Sequence, residues 1–270
     1  MSFNLSLQER KQQYEAEKVK LNNTISDFSI QDLQKEATIG DKLKKRAALE
    51  DQLSSKQVIE LAHRQNIDYV IQNSLQPFAE KVKTLAALDK NSSDFYREDF
   101  TFFPNPISKH KITFDCNTPR KTILNLAFHR LEVDVEANRS HCLKSALEEL
   151  IMNAQIDARN LDHAKQNLKS TLLIEKMDKM AAVSTIDLYG TLTYGKFTGQ
   201  VESVLNIGVT GSINHNRQRG AGLGSSIIFN ASDSLYLGCI PGEKTRVTAI
   251  IPFGLSDTNQ EKLQKSLFLI

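Results

Sequence analysis

The sequence predicts an α+β protein, a two-layer α/β sandwich behind an N-terminal helical hairpin or coiled-coil region. Three observations carry that expectation. Residues 1–90 contain no Gly or Pro except Gly40 and Pro77, and are rich in Gln, Lys, Glu, Leu and Ala, a helix-forming composition. From about residue 108 onward, short alternating apolar runs interleave with helical ones, the pattern of a mixed sheet covered by helices. Between the two lies NSSDFYREDFTFFPNPISKH, dense in turn residues and aromatics, which marks a boundary.

In the helical region a first segment spans 7–21. Asn22-Asn23-Thr24 with Ser26-Asp27 then offers a break and a new cap. A second helix carries Ile30, Leu33 and Ala37, with Leu43, Ala47 and Leu53 farther on, and Gly40-Asp41 bends or interrupts it. In the third, Ile71, Leu75, Phe78, Val82 and Leu85 follow 4-3-4-3 spacing and fall on one stripe. Such a stripe needs an apolar partner. The candidates are a hairpin packed on itself or on the C-terminal domain, and a dimerising bundle. The organisation expected is 1–92 helical, 93–107 connector, 108–256 sandwich and 257–270 a closing helix presenting Leu263, Leu267 and Ile270. Phe95, Phe100, Phe102 and Phe103 read as packing.

Strands are expected at 111–115, 121–128 and 130–135, followed by a helix over 140–160. Further strands fall at 171–174 and 181–186, with a helix at 223–230. Strands at 234–240 and 245–251 are joined by the turn Pro241-Gly242-Glu243-Lys244.

Composition narrows the class. Of the residues, 40% are hydrophobic and 24% charged, with a net charge of +2. That balance gives no argument for nucleic acid or a membrane surface as partner. The first thirty residues turn charged at once and read as no signal peptide. No window approaches the roughly 18–20 apolar residues of a membrane span. Cys116, Cys142 and Cys239 are odd in number and scattered, and suit free thiols in a reducing, cytoplasmic compartment.

Four patches carry chemistry. In SALEELIMNAQIDA, residues 145–158, a helix sets Glu149 and Asn153 one turn apart on one face. A carboxylate there can orient a water, and an amide oxygen can ligate Mg²⁺. The same two residues also suit the plain solvated face of an amphipathic helix. In RGAGLGSSIIF, residues 219–229, Gly220, Gly222 and Gly224 alternate before an apolar helical run. Such glycines bring amides up to a phosphate at a helix N-terminus, or merely make a tight turn. Asp187 ends a β-branched strand with Gly190 in the following turn, where a carboxylate can accept from a base amine. Thr245 opens the last hairpin strand.

In this order the four patches resemble the GHKL ATPase domain of gyrases, heat-shock chaperones, histidine kinases and MutL proteins. Glu149-Leu150-Ile151-Met152-Asn153-Ala154 looks like its N-box, and Asp187 with Gly190 like its adenine-reading box. Gly220-Ala221-Gly222-Leu223-Gly224 looks like its glycine-rich box, and Thr245 like the threonine beyond. The resemblance covers about 108–254. It implies a Bergerat-type sandwich holding ATP between helices and sheet, with Mg²⁺ held partly by Asn153. It makes Glu149 the base or water-positioner, Asp187 the reader of the adenine amine, and the amides around Gly220, Gly222, Leu223 and Gly224 the phosphate cradle. Residues 191–219 would be the ATP lid, mobile, with Lys196, His215, Arg217 and Arg219 either meeting the γ-phosphate or standing as solvated loop residues.

Two features depart from the family pattern. Tyr189 stands where the adenine box has its first glycine, so that Gly190 comes one place late, and Asp157 follows Asn153 by four places rather than three. His63, in VIELAHRQNIDYVIQ, is the one N-terminal candidate for a phosphoacceptor and equally suits a surface histidine. The resemblance implies an ATP-binding signalling protein of the histidine-kinase or anti-sigma-kinase kind, acting as kinase or ATPase. Its N-terminal helices would pair with a second copy or a partner protein. The alternative is a scaffold that keeps the fold, has lost turnover and binds a protein partner.

Overall fold

A computed structural model describes residues 47–49, 52–72, 74–132, 141–157, 168–212, 223–253, 255 and 263–270. Residues 7–46 of the expected helices lie outside these, while Ala47 and Leu53, expected farther along the second helix, are not helical: Ala47 stands in a strand. The described elements are β1 (Ala47–Leu49), α1 (Ser55–Arg64), β2 (Tyr69–Ile71), α2 (Phe78–Lys90), a 3-10 turn (Ser92–Tyr96), β3 (Ser108–Phe114), α3 (Arg120–Leu131) and α4 (His141–Met152). A π turn (Asn153–Asp157) follows, then β4 (Ser170–Lys176), β5 (Met180–Asp187), α5 (Tyr194–Ser212), α6 (Gly224–Ala231), β6 (Ser234–Ile240), β7 (Lys244–Pro252) and β8 (Ser266–Leu269).

All eight strands join one mixed sheet in the order β1-β2-β8-β6-β7-β5-β4-β3. From β6 through β7, β5 and β4 to β3 every pairing is antiparallel, while β8 runs parallel to β6 and antiparallel to β2. Alternation along each strand divides the apolar side chains between two faces. Leu235, Leu237, Val247, Ala249, Leu267 and Leu269 point into the larger core with α1, α3, α4, α5 and α6. Tyr236, Ile250, Phe268 and Ile270 point the other way, into a smaller core with Leu85 and Leu88 of α2 and with Phe95, Phe102 and Phe103. Tyr236 stacks on Phe268 at 4.2 Å between centroids. The helices of the larger core make the expected second layer, and α2 with the aromatic connector covers part of the opposite face.

Several elements differ from expectation. Residues 121–128 alternate in polarity, yet they form α3. The fully buried positions are Ile123, Ala127 and Leu131, spaced by four, while Leu126 is 45% exposed. Of the strand expected over 130–135, Arg130 and Leu131 form the last turn of this helix, which Glu132 ends in the left-handed region at φ 51°, and 133–135 lie outside the described residues. The stripe from Ile71 to Leu85 is not one helix. Tyr69-Val70-Ile71 is a buried aromatic and β-branched triplet in the sheet, and Leu75 is 46% exposed. Pro77, at φ −55°, restrains the residue before it from helical geometry, so α2 starts only at Phe78. Of the closing helix expected over 257–270, residues 257–262 lie outside the described residues, and Ser266–Leu269 is instead a strand whose side chains feed both cores alternately. The helical spacing of Leu263, Leu267 and Ile270 was coincidental.

β1 and β2 therefore extend the sheet that the later residues build. A buried polar tie holds this join. Lys81, fully buried on α2, donates to the Gln72 carbonyl at 2.9 Å and lies 3.4 Å from Asp233, which is itself fully buried. The Lys81 ammonium also meets the Ser74 hydroxyl. Asp233 accepts from Ser74 Oγ and the Leu75 amide, each at 2.8 Å. Burial pulls the Lys81 ammonium below its ordinary range, and Asp233 works against that. Among the described residues no helix is long and apolar enough to cross a membrane.

Candidate functional site

α4 is amphipathic. Leu143, Ala146, Leu147, Leu150 and Ile151 are fully buried on its inner face. Glu149 and Asn153 lie off that stripe, half-buried, and both meet the start of α6. A Cβ built on Gly224 would stand 2.3 Å from Glu149 Oε2 and 3.6 Å from Asn153 Oδ1. Only glycine lets the helix N-terminus approach the carboxylate this closely. The alignment is favourable, because an anion at a helix N-terminus gains about 0.3–1 kcal/mol from the dipole. The structure thus brings together the two residues expected on α4 and the last glycine of the glycine-rich run. Leu223 precedes α6 directly; Gly220 and Gly222 lie outside the described residues.

Asp187 and Thr245 face each other across the β5–β7 ladder. Asp187 is 7% exposed, and its Oδ1 accepts from the amides of Tyr189 at 2.9 Å and Gly190 at 3.2 Å. Burial pushes its carboxyl up to about 6, against the opposing pull of these amides and of Thr245. The Thr245 hydroxyl approaches the carboxylate but closes no hydrogen bond of good geometry with it. Gly190 has φ 61°, and a Cβ there would meet the Ile240 carbonyl at 2.3 Å. Its own carbonyl accepts from Gly242 N at 3.1 Å. The glycine is required by this contact with the β6–β7 turn, which no local pattern signals. Tyr189 is 3% exposed, and its hydroxyl reaches toward the Leu168 carbonyl at 3.5 Å.

The four-residue step from Asn153 to Asp157 coincides with the π turn. A π turn takes up one residue more than an α turn. Gln155 in this turn is a positioning residue that sequence reasoning missed. It donates to the carbonyls of Asp115 and Thr118, both at 2.8 Å, and holds the β3–α3 loop. Nothing in its type or spacing distinguishes it from any other helical glutamine.

The segment expected to be a lid is, over Tyr194–Ser212, the helix α5, broken at Gly208 with φ 73°. Phe197 and Val201 seat it in the larger core. The glycine and threonine content suggested mobility, but these two apolar residues four apart supply a packing face. Lys196 is exposed on α5. His215, Arg217 and Arg219 lie outside the described residues. α5 meets α6 where Ser225 Oγ donates to Gln200 Oε1 at 2.7 Å.

His63, on α1, packs against α5 with Nδ1 2.8 Å from Thr198 Oγ1 and Nε2 3.6 Å from Glu202. Among the described residues no cluster of three or more His, Cys, Asp or Glu could hold a metal. Cys116, Cys142 and Cys239 are in no disulfide.

No protein-family model matches the chain, and no curated protein matches it.

Proposed function

We propose that residues 108–254 bind Mg·ATP as a GHKL-type domain of a cytoplasmic signalling protein. The observation that supports this best is the seating of Glu149 and Asn153 on the N-terminus of α6 at Gly224. It joins a carboxylate, an amide oxygen and a helix N-terminus, the donor set that a magnesium-bound triphosphate needs. Asn153, together with the phosphates, would hold Mg²⁺, since that ion is commonly bound by one or two protein oxygens plus substrate phosphates. The ion would neutralise charge on the transferring phosphoryl group. Asp187 reads the base amine with the oxygen its loop amides leave over. Leu223 and Gly224, with Gly220 and Gly222, supply amides to the phosphates. Glu149 positions the attacking group.

Two activities fit this reading. In one, the γ-phosphoryl passes to a protein side chain, on a partner or on His63, and ADP leaves. In the other, water is the acceptor and free phosphate is released. Incubation with γ-labelled ATP separates them, since a kinase labels protein and an ATPase labels free phosphate. The N-terminal residues would supply the contact with a partner protein or a second copy.

Calorimetric titration with ATP and Mg²⁺ tests the site itself. Saturable binding by the wild type, lost in Asn153→Ala and in Asp187→Asn, is the result expected. Wild-type protein that gives no heat of binding sinks the proposal. It would favour the second reading, a scaffold without turnover. That reading draws on Tyr189, which puts a buried aromatic side chain into the loop beside Asp187.

A further inference from the structure

We propose that α1 is a latch on α5, and that His63, Arg64 and Glu202 set how firmly the start of α6 is held against Glu149. The inference rests on the nucleotide-binding reading of that site and names its regulation. Arg64 Nε donates to Glu202 Oε1 at 2.6 Å, and His63 Nε2 stands 3.6 Å from the other oxygen of the same carboxylate. Arg64 also lies 4.0 Å from Glu60 on its own helix. The charged groups that meet the imidazole are therefore Glu202 from α5 and, through that carboxylate, Arg64 and Glu60 from α1.

The protons on His63 follow from its neighbour. The Thr198 hydroxyl carries one proton and gives it to the Tyr194 carbonyl at 2.9 Å. It can only accept from His63, so Nδ1 is the donor across the 2.8 Å contact. With Nδ1 protonated, neutral His63 turns the Nε2 lone pair toward a carboxylate, and the doubly protonated ring turns an N–H toward it. The ring packs on the Gly199 turn of α5, where a Cβ would stand at an ordinary contact distance of 3.5 Å from Cε1. The ring and the Arg64 guanidinium thus converge on one carboxylate of α5.

The hold continues into the site. Gln200 follows Gly199 and accepts from Ser225, which follows Gly224. In the latched state the Glu149 carboxylate occupies the helix N-terminus that a phosphate would use. Loosening α5 frees α6 to draw back from Glu149, which favours the nucleotide.

The test uses the full chain, with Arg64→Ala and Glu202→Gln, and two readouts. Backbone hydrogen exchange of 194–208 is measured without nucleotide, and Mg·ATP affinity by calorimetry at one pH. Both variants are expected to exchange faster and to bind ATP tighter, by roughly two- to fivefold, the range an ion pair of this exposure supports. Exchange equal to wild type overturns the latch whatever ATP does. Faster exchange with unchanged or weaker ATP affinity overturns its link to the site. Faster exchange in a chain that binds no ATP in any form upholds the latch and sinks the nucleotide reading alone.

Discussion

Gly224 exists as a glycine because Glu149 stands over it: the carboxylate oxygen is 2.3 Å from where a Cβ would be. Of the three nearest atoms, Oε2 is the free end of a flexible side chain, while Glu149 Cδ is at 3.3 Å and Asn153 Oδ1 at 3.6 Å. An added methyl therefore pushes the carboxylate aside and leaves the backbone where it is. Gly224→Ala is expected to change unfolding free energy by less than about 1 kcal/mol, because it also removes a glycine from a helix. Nucleotide affinity or turnover should change at least tenfold. Denaturant melts and ATP titrations on one preparation check the split. A large loss of stability with unchanged nucleotide behaviour would make Glu149 a packing residue.

Asp187 shows the opposite balance, a group that costs stability where it sits. Its folded-state pKa of about 6 lies above the ordinary 3.8, so the folded protein binds the proton more tightly than the unfolded chain does. The contribution is fully present below about pH 4 and is lost as pH rises through about 6. A shift of this size corresponds to roughly 3 kcal/mol at neutral pH, an upper bound. Asp187→Asn keeps an oxygen for the Tyr189 and Gly190 amides and removes the charge. The variant should be more stable than wild type at pH 8, with the advantage shrinking toward pH 4, and it should fail to bind ATP. Urea melts across that range give the curve. A variant less stable than wild type at pH 8 refutes this account.

What the sequence revealed depended on how local the governing physics was. Alternation within 181–186, 234–240 and 245–251 is imposed by each strand's own two faces, and β5, β6 and β7 appear where expected. Residues 121–128 satisfied two periods at once, and the burial of Ile123, Ala127 and Leu131 by distant elements chose between them. β8 and β2 were invisible because four and three residues carry no period of their own; each is a strand by virtue of its neighbours. In the site, i,i+4 geometry sufficed for Glu149 and Asn153. The contact of Gly190 with Ile240, some fifty residues away in sequence, left no local trace.

Gly190 and Gly242 give a controlled comparison. Both have positive φ, 61° and 75°, yet a Cβ on Gly190 would meet three backbone atoms within 2.7 Å, whereas nothing lies within 4 Å of one on Gly242. Gly242→Ala should carry only the conformational penalty, about 1 kcal/mol. Gly190→Ala adds a clash that only backbone movement relieves, and should cost at least about 3 kcal/mol by the measure of overpacked sites. It should also disturb the amide that Asp187 accepts. Thermal melts of the two variants side by side decide it, and equal losses would mean that the β5–α5 loop yields freely.

Arg246 makes the strongest claim on the opposite face. It is fully buried, and its guanidinium donates to the Phe95 and Arg97 carbonyls at 2.6 and 2.8 Å and to Ser184 Oγ at 3.1 Å. It also lies 5.2 Å from the ring centroids of Phe95 and Phe102. Burial lowers its pKa to about 10, with Glu175 opposing the shift, so it stays charged at neutral pH. Glu175 completes the clamp by accepting from the Phe102 and Phe103 amides at 3.0 and 3.1 Å. Neighbouring residues on opposite faces of β7 thus divide the work, Thr245 toward Asp187 and Arg246 toward the connector. Arg246→Met takes this donor from the buried Phe95 carbonyl, at about 1–3 kcal/mol, while the Arg97 carbonyl keeps the Phe100 amide. Arg246→Lys should rescue little, because a single ammonium cannot span the fork that the guanidinium spans. Limited proteolysis should then cut first within 92–107, and both variants should melt well below wild type. Cleavage that begins elsewhere, or a full rescue by lysine, would show that the phenylalanines hold the connector without the clamp.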